Sequence, residues 1–380
     1  MIIKENILNN GWHIIKFSDC IKQLNTGLNP RKNFSLGSGK LKYITAKNLT
    51  KFGTIDFSKC DFIDEEAKRI IHKRSDIRRG DILFSSRAPI GHCHLITEEP
   101  DFYDIGESIF SIRVNQDVVL PEYLCLYLAS DYFVKVASKH TTGSIIMEIR
   151  ISDLMNTEII IPPREIQKKI AKCLNKIDQK IELNKMVNDN LEQQMHLIFE
   201  NMMAKAATHK LSGEYTIAQN LATVVTGKED ANFSVPNGKY KFFTCSNTPL
   251  SCDEYVFDSS SILIAGNGDF NVKHYSGKFN AYQRTYILTP DKKYFGLLYL
   301  ASLYRINSFK SRSSGSIVKF ITKSDVESIP VFIPNDRFYL QELNKLIYLQ
   351  EQNKLENELL VNLRDWLLPM LMNGQATISD

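Results

Sequence analysis

Cysteine is sparse in this 380-residue chain: there are seven, an odd number, and no two form a C-x-x-C pair. This fits reduced, mostly buried thiols better than a disulfide framework, and no dithiol redox motif is indicated. Long apolar runs are absent as well. The opening Met1-Ile2-Ile3-Lys4-Glu5-Asn6 carries no small-residue cleavage site behind a basic cap, and no later segment approaches a bilayer-spanning length. A cytoplasmic protein without a membrane partner is expected. Phosphate-binding and catalytic signatures are equally scarce. Gly266-Asn267-Gly268 and Thr226-Gly227-Lys228 complete neither a G-x-x-x-x-G-K-[ST] loop nor a G-x-G-x-x-G turn, and no Gly-x-Ser-x-Gly elbow occurs. Ile161-Pro162-Pro163-Arg164 lacks both the amide or acid and the aromatic of an amino-methyltransferase motif. His92-Cys93-His94 puts its two imidazoles on one strand face and the thiol on the other, so a structural strand is expected there rather than a metal site.

What the chain has is a repeat. Leu126-Tyr127-Leu128-Ala129-Ser130 recurs as Leu298-Tyr299-Leu300-Ala301-Ser302, an offset of 172. The same offset carries Thr142-Gly143-Ser144-Ile145 onto Ser314-Gly315-Ser316-Ile317, Ser152-Asp153-Leu154 onto Ser324-Asp325-Val326, and Ile161-Pro162 onto Ile333-Pro334. Upstream, Thr26-Gly27 matches Thr226-Gly227, and Tyr43-Ile44-Thr45 matches Phe242-Phe243-Thr244, at offsets of 200 and 199. The second copy therefore lacks about 28 residues between these anchors, expected to fall in loops.

Each copy reads as short strands, among them residues 41–45 and 81–85, then a helix opening at Pro121 and running through Tyr123, Leu126, Tyr127 and Val134. A last strand at residues 158–161 leads into a stretch from Arg164 to about Ala206 that contains neither Gly nor Pro. Its heptad seam runs Ile170, Leu174, Ile177, Ile181, Asn184, Asn188, Leu191, Met195, Ile198 and Met202. The second copy offers Leu346, Leu349, Asn353, Glu356, Leu360, Leu363, Leu367 and Met370. Polar residues inside both seams are the kind that specify register and pairing. The expected fold is α/β (α+β): two tandem domains at 1–163 and 210–335, each followed by a long helix at 164–209 and 336–380. The two helices are expected to pair as an antiparallel coiled coil with pseudo-two-fold symmetry; the alternative is two amphipathic helices, each lying on its own domain. From Ile170 to Ile198 the seam would span about 43 Å, or about 13 base pairs of duplex.

Charge patterning points toward nucleic acid. No acid lies between Asp19 and Asp56, while Lys22, Arg31, Lys32, Lys40, Lys42, Lys47 and Lys51 do. Between Asp291 and Asp325 stand Lys292, Lys293, Arg305, Lys310, Arg312, Lys319 and Lys323, again without an acid. Acid-free basic stretches suit a phosphate-facing surface. Beside them lie loops that offer amides and hydroxyls: residues 26–29, 85–87, 141–144, 266–268 and 313–316. Candidate DNA contacts are Arg31, Lys32, Lys40, Lys42, Lys47, Lys139, Lys273 and Lys310, with Gly143, Ser144 and Ser316 on loops. Asn48, Arg87, Gln283, Arg284 and Arg312 are the candidate base readers.

Taken together these residues resemble the specificity subunits of Type I restriction-modification enzymes. The resemblance covers essentially the whole chain. It rests on the repeat, Thr26-Gly27 and Thr226-Gly227, Gly80-Asp81-Ile82-Leu83-Phe84-Ser85, Gly143-Ser144, Ile161-Pro162-Pro163 before the long helix, and the closing run from Leu367 to Gly374. The second copy departs from it at Ile262-Leu263-Ile264-Ala265 and Pro334-Asn335. The resemblance implies two target-recognition domains, each reading one part of a split, asymmetric double-stranded DNA target, with the paired helices as a ruler for the unread gap. It implies a non-catalytic chain that docks two modification subunits and also restriction subunits. S-adenosylmethionine, ATP and Mg would belong to those partners, and this chain would hold no cofactor. Two other classes remain open. One is a stand-alone nuclease or methyltransferase using acids such as Asp81, Glu98, Glu99 and Asp101; the other is a coiled-coil adaptor that contacts only proteins.

Overall fold

The computed structural model describes residues 11–50, 53–138, 148–268, 270–312, 320–376 and 378. The chain divides into two compact units, Met1–Ile181 with Glu358–Asp380, and Glu182–Asn357. The first unit runs β1 (His13–Lys16), β2 (Ile21–Thr26), β3 (Leu41–Ile44), β4 (Asp61–Ile63), α1 (Glu65–Ser75), β5 (Ile82–Ser85), β6 (Cys93–Leu95), β7 (Tyr103–Ile105) and β8 (Ile109–Val114). It continues through α2 (Pro121–Ala129), α3 (Asp131–Ser138), α4 (Ile151–Asn156), β9 (Glu158–Ile161) and the opening part of α5 (Arg164–Ala207). Its strands form a four-stranded sheet ordered β2-β8-β5-β6, a three-stranded sheet ordered β4-β3-β7, and the antiparallel pair β1-β9.

The second unit holds β10 (Gly213–Ile217), β11 (Ala222–Thr226), β12 (Tyr240–Phe243), β13 (Leu250–Cys252), β14 (Phe257–Ala265), β15 (Val272–Ala281) and β16 (Thr285–Pro290). These are followed by α6 (Phe295–Arg312), α7 (Lys323–Glu327), β17 (Pro330–Pro334) and the opening of α8 (Arg337–Met372). Six strands make one sheet ordered β11-β16-β14-β15-β12-β13, and β10 pairs with β17.

The ladders make the duplication explicit. β3 runs parallel to β7 with Ile44 opposite Ile105, and β12 runs parallel to β15 with Phe243 opposite Ala281. β5 and β14 each sit between two antiparallel neighbours, with Ile82 opposite Leu95 and Ile262 opposite His274. A single long β15 thus does in the second unit what β6 and β7 do separately in the first. The extra residues of the first copy are therefore not loop alone: between β4 and β5 they build α1. That helix is capped where Asp64 accepts from the Ala67 amide, with Glu65 and Glu66 in its first turn.

The helix opening at Pro121 is shorter than expected. It ends before Ser130, whose hydroxyl donates to the Tyr127 carbonyl at 2.6 Å and accepts from the Phe133 amide at 3.2 Å, closing α2 and starting α3. Ser130 is followed by Asp131, suited to a helix first turn. Ser302 is followed by Leu303, and α6 continues through it.

The Gly- and Pro-free stretch forms one 44-residue helix, α5. Ile170, Leu174, Ile177 and Ile181 are buried in the first unit; Asn184, Asn188, Leu191, Met195 and Met202 are buried in the second, with Ile198 packed beside them. Along α8, Leu346 is buried in the second unit, and Leu360 and Leu367 pack on the core of the first. The expected register of α8 needs correction at Leu349 and Leu363, which are 40% and 44% exposed. Their neighbours Gln350 and Arg364 turn inward instead. Burial of these polar groups is tolerated because each is satisfied. Gln350 Nε2 donates to the Asn188 carbonyl at 3.4 Å, and Arg364 pairs with Asp178 at 3.0 Å and Asp365 at 2.7 Å. In the second unit Asn353 Nδ2 donates to Asn188 Oδ1 at 2.9 Å, while Asn184 Nδ2 donates to Glu356 and Asn357 at 2.7 and 2.9 Å.

Candidate nucleic-acid interface

In both units three segments converge beside the parallel strand pair. In the first they are the turn after β2, the β7–β8 turn and the end of β5. The Gly27 and Leu28 amides donate to Ile109 and Ile105 carbonyls at 3.4 and 3.3 Å, and the Tyr43 hydroxyl donates to the Leu28 carbonyl at 2.7 Å. A Cβ on Gly27 would overlap the Ile105 carbonyl, so only glycine permits this approach. The second unit repeats the device. The Gly227 amide donates to Thr285 at 3.0 Å, and a Cβ there would overlap the carbonyls of Ala281 and Tyr282.

Polar side chains line this junction in each unit, with different chemistry. In the first, Arg87 Nη1 pairs with Glu107 at 2.9 Å and its Nε with Glu148 at 3.1 Å, while Asn29 Nδ2 donates to the other Glu107 oxygen. The Asn29 hydrogen bond, together with Arg87 and the charge of Arg31, holds the Glu107 carboxyl below its usual range despite partial burial. In the second unit Gln283 Nε2 donates to Asp230 Oδ1 at 2.8 Å, and the Gln283 amide donates to the Glu229 carbonyl at 2.9 Å. By ladder position Gln283 stands where Glu107 stands, and Asn267 where Arg87 stands. The amide lies on the first loop and the carboxylate on the turn in one unit; the order is reversed in the other. Arg87, named as a candidate base reader, joins two carboxylates on separate segments and remains 39% exposed. Gln283 and Arg284 remain exposed.

The ladders also add basic residues that charge counting overlooked. Lys40 and Lys42 of the first unit superpose in register on Lys239 and Lys241 of the second, because Tyr43 and Phe242 occupy the same rung. Lys42 Nζ sits 3.8 Å from the Phe62 ring centre, and Lys239 and Lys278 lie 5.3 and 4.7 Å from Tyr240 and Tyr255. In each case the ammonium itself stands over an aromatic face and is attracted by the ring quadrupole. The signal was present in the sequence: carrying the 199-residue offset through Tyr43 moves Lys40 and Lys42 onto Lys239 and Lys241.

Other candidate contacts fare unevenly. Arg31, Lys32 and Lys47 are exposed. Asn48 is 4% exposed and closes a capping box with Thr45, so it shapes backbone rather than reading bases. Lys273 is likewise withdrawn. Its ammonium donates to the Thr244 and Ser246 carbonyls and to Asn271 Oδ1, and burial lowers its pKa to about 8. Lys310 and Arg312 fall in the last turn of α6, their side chains outside the described residues; Lys139, Gly143, Ser144 and Ser316 lie outside them altogether.

The acids named for an enzyme form no centre. Asp81 is buried and accepts from Arg113 Nε and Nη2 at 2.9 and 2.8 Å and from the Arg78 amide at 3.0 Å. Glu98, Glu99 and Asp101 are exposed. His92 and His94 each direct Nδ1 at a backbone carbonyl, Leu49 and Gly53, at 2.6 Å. Among the described residues no three His, Cys, Asp or Glu side chains group to hold a metal ion, and no helix is long and apolar enough to cross a membrane.

A family model described as Type I restriction modification DNA specificity domain matches residues 9–193 and 221–362. The EcoDI specificity subunit, a Type I restriction enzyme component from Escherichia coli, is 35% identical over 164 residues, covering 41% of this chain and 37% of that protein. The putative MjaX specificity subunit from Methanocaldococcus jannaschii is 25% identical over 412 aligned positions, 97% of this chain and 94% of its own. A solved S subunit of a Type-I restriction-modification system from M. genitalium shares the fold, with a TM-score of 0.59 at 18% identity over 98% of both chains.

Proposed function

The chain belongs to the Type I restriction modification DNA specificity domain family, and on that premise we propose that it is the DNA-recognition subunit of such a complex, reading a split, asymmetric target. The observation that carries this reading is the repeated junction. One backbone device, built on Gly27 and Gly227, presents Asn29, Glu107 and Arg87 in one unit and Asp230, Gln283 and Asn267 in the other. Two such surfaces on one scaffold suit two half-targets of different sequence.

α5 and α8 serve as the spacer, paired as an antiparallel coiled coil with pseudo-two-fold symmetry and acting as the ruler for the unread gap. The polar contacts of Asn184, Asn188, Gln350 and Asn353 support a single register. Two modification subunits dock on the spacer, and restriction subunits join them. Exposed apolar side chains on the helices support docking: Leu183, Met186 and Leu197 with Tyr348 and Leu355 in the second unit, and Leu359, Leu363 and Trp366 in the first. The chain directs chemistry and does not perform it; S-adenosylmethionine, ATP and Mg act on the partner subunits in the cytoplasm.

Co-expression with the modification subunit in a methylation-free host, followed by mapping of modified adenines, tests this. Two short specified parts around a fixed gap are expected, and their loss when this chain is omitted. Removing one heptad from both α5 and α8 shortens the seam by about 10 Å and the gap by about three base pairs. An unspecified or single-part methylation pattern refutes the recognition role, and an unchanged gap refutes the ruler.

A further inference from the structure

We propose that His274 is a positioning residue: it joins the recognition sheet of the second unit to α8 through an ionic joint whose protonation sets how that unit engages its half of the target. The inference rests on the function proposed above. His274 projects from β15 with its side chain 2% exposed, between two oxygens of α8. Nδ1 lies 3.0 Å from Glu351 Oε1 and Nε2 lies 2.9 Å from Gln350 Oε1. The Gln350 orientation is fixed by its other contacts: Oε1 also accepts from Lys354 at 3.3 Å, and Nε2 donates to the Asn188 carbonyl on α5 at 3.4 Å.

Both contacts can be hydrogen bonds only if both ring nitrogens carry a proton, which is the imidazolium. A neutral ring must give up one of them. Nε2 would then oppose its lone pair to Gln350 Oε1, unless it shifts to accept from Lys354 Nζ, already 3.4 Å away. One proton therefore decides whether the sheet is tied to Gln350, and through it to Asn188, or to Lys354. The charged groups around the joint are Glu351 and Lys354 on α8 and Glu192 on α5, whose charge acts on Lys354 and Tyr299. The Ser276 hydroxyl donates to Glu351 at 3.0 Å, and the Tyr299 ring of α6 stands edge-on to His274 at 4.9 Å. Against burial, which acts the other way, His274 and Ser276 hold the Glu351 carboxyl below its ordinary range.

The first unit supplies an internal control. The rung that holds His274 opposite Ile262 holds Leu95 opposite Ile82, an apolar contact with nothing to titrate.

The test uses the full chain assembled with its modification subunit. Methylation kcat/KM is measured from about pH 6 to about pH 9, on the intact target and on duplexes with either half scrambled. Discrimination at the half read by the second unit should fall with rising pH by about tenfold, the scale of one charge-assisted hydrogen bond, while discrimination at the other half stays flat. His274→Leu should flatten the profile. Glu351→Gln keeps the shape, removes the charge, and should change the profile at that half alone. Equal pH dependence at both halves, or a profile unchanged in both variants, overturns the proposal. A wild type that discriminates at neither half overturns the recognition role itself, and this inference with it.

Discussion

Replacing Lys40 and Lys42 together, or Lys239 and Lys241 together, with Gln should change how DNA binding responds to salt without changing which sequence is bound. Each ammonium that neutralises a phosphate contributes about 0.9 to the slope of log affinity against log salt, so either pair should remove about 1.8. Between about 50 and 200 mM salt, that slope accounts for roughly a twelvefold change in affinity. The substitutions are safe for the fold, because Lys40 and Lys239 are exposed and Lys42 and Lys241 half-buried on a sheet surface. Fluorescence anisotropy on the assembled complex, titrated at several salt concentrations, reads the slope directly. Loss at both pairs identifies the β3 and β12 surfaces as the phosphate-facing side of each unit. Wild-type slopes in both variants would refute the assignment. A changed base preference at an unchanged slope would mean that these lysines read bases instead.

Leu174→Ala, at a fully buried seam position, should cost about 3 kcal/mol, whereas Leu363→Ala should stay within about 0.5 kcal/mol; urea unfolding of the two variants compares the seam registers directly. Asp81→Ala removes the buried acceptor of Arg113 and of the Arg78 amide but leaves the guanidinium on Asp76 and Gln23, and should destabilise the first unit by about 1–2 kcal/mol, measured by thermal unfolding, while methylation per folded complex is retained; abolished methylation in a folded variant would revive the enzyme reading. Lys273 has a folded-state pKa of about 8 against an ordinary value of 10.5, so its contribution to stability is fully present above the ordinary value and lost as pH falls through about 8. The urea midpoint of the wild type, relative to Lys273→Met, should therefore rise between about pH 7 and about pH 10; a constant difference contradicts the assignment.

The elements most legible in the sequence were those where one physical constraint dominates. The stretch without Gly or Pro is a helix from Arg164, and the β-branched run at residues 159–161 lies in a strand, because no competing local structure suits those residues. Heptad reading failed by one residue on α8, where Leu349 and Gln350, and again Leu363 and Arg364, sit side by side. An apolar count prefers the leucines. It cannot see that Asn188 and Asp178 wait across the seam to satisfy the polar neighbours. The candidate contacts show a related gap in the sequence: basic composition does not reveal whether a charge already has a carboxylate or carbonyl partner. Arg87 is held by Glu107 and Glu148, segments distant in sequence, and Lys273 by carbonyls of the turn after β12.

The pattern of what the two units share follows from unequal costs. Gly27 and Gly227 persist because any side chain would drive Cβ into a carbonyl, and Ile161 and Ile333 persist because each lies in a two-stranded ladder with the unit's first strand. Side chains at the junction carry no such penalty; partly exposed, they can change at little cost to stability. Divergence has accordingly collected at Asn29, Arg87 and Glu107 against Asp230, Asn267 and Gln283. Yet Asn29 and Arg87 are bonded to Glu107 in the first unit, and Gln283 to Asp230 in the second, so single replacements leave a partner unsatisfied. Coupled sets of this kind change together. A new half-target specificity on this scaffold should therefore arise by exchanging the junction as a block, and a lone Glu107→Gln should weaken recognition without converting it to that of the second unit.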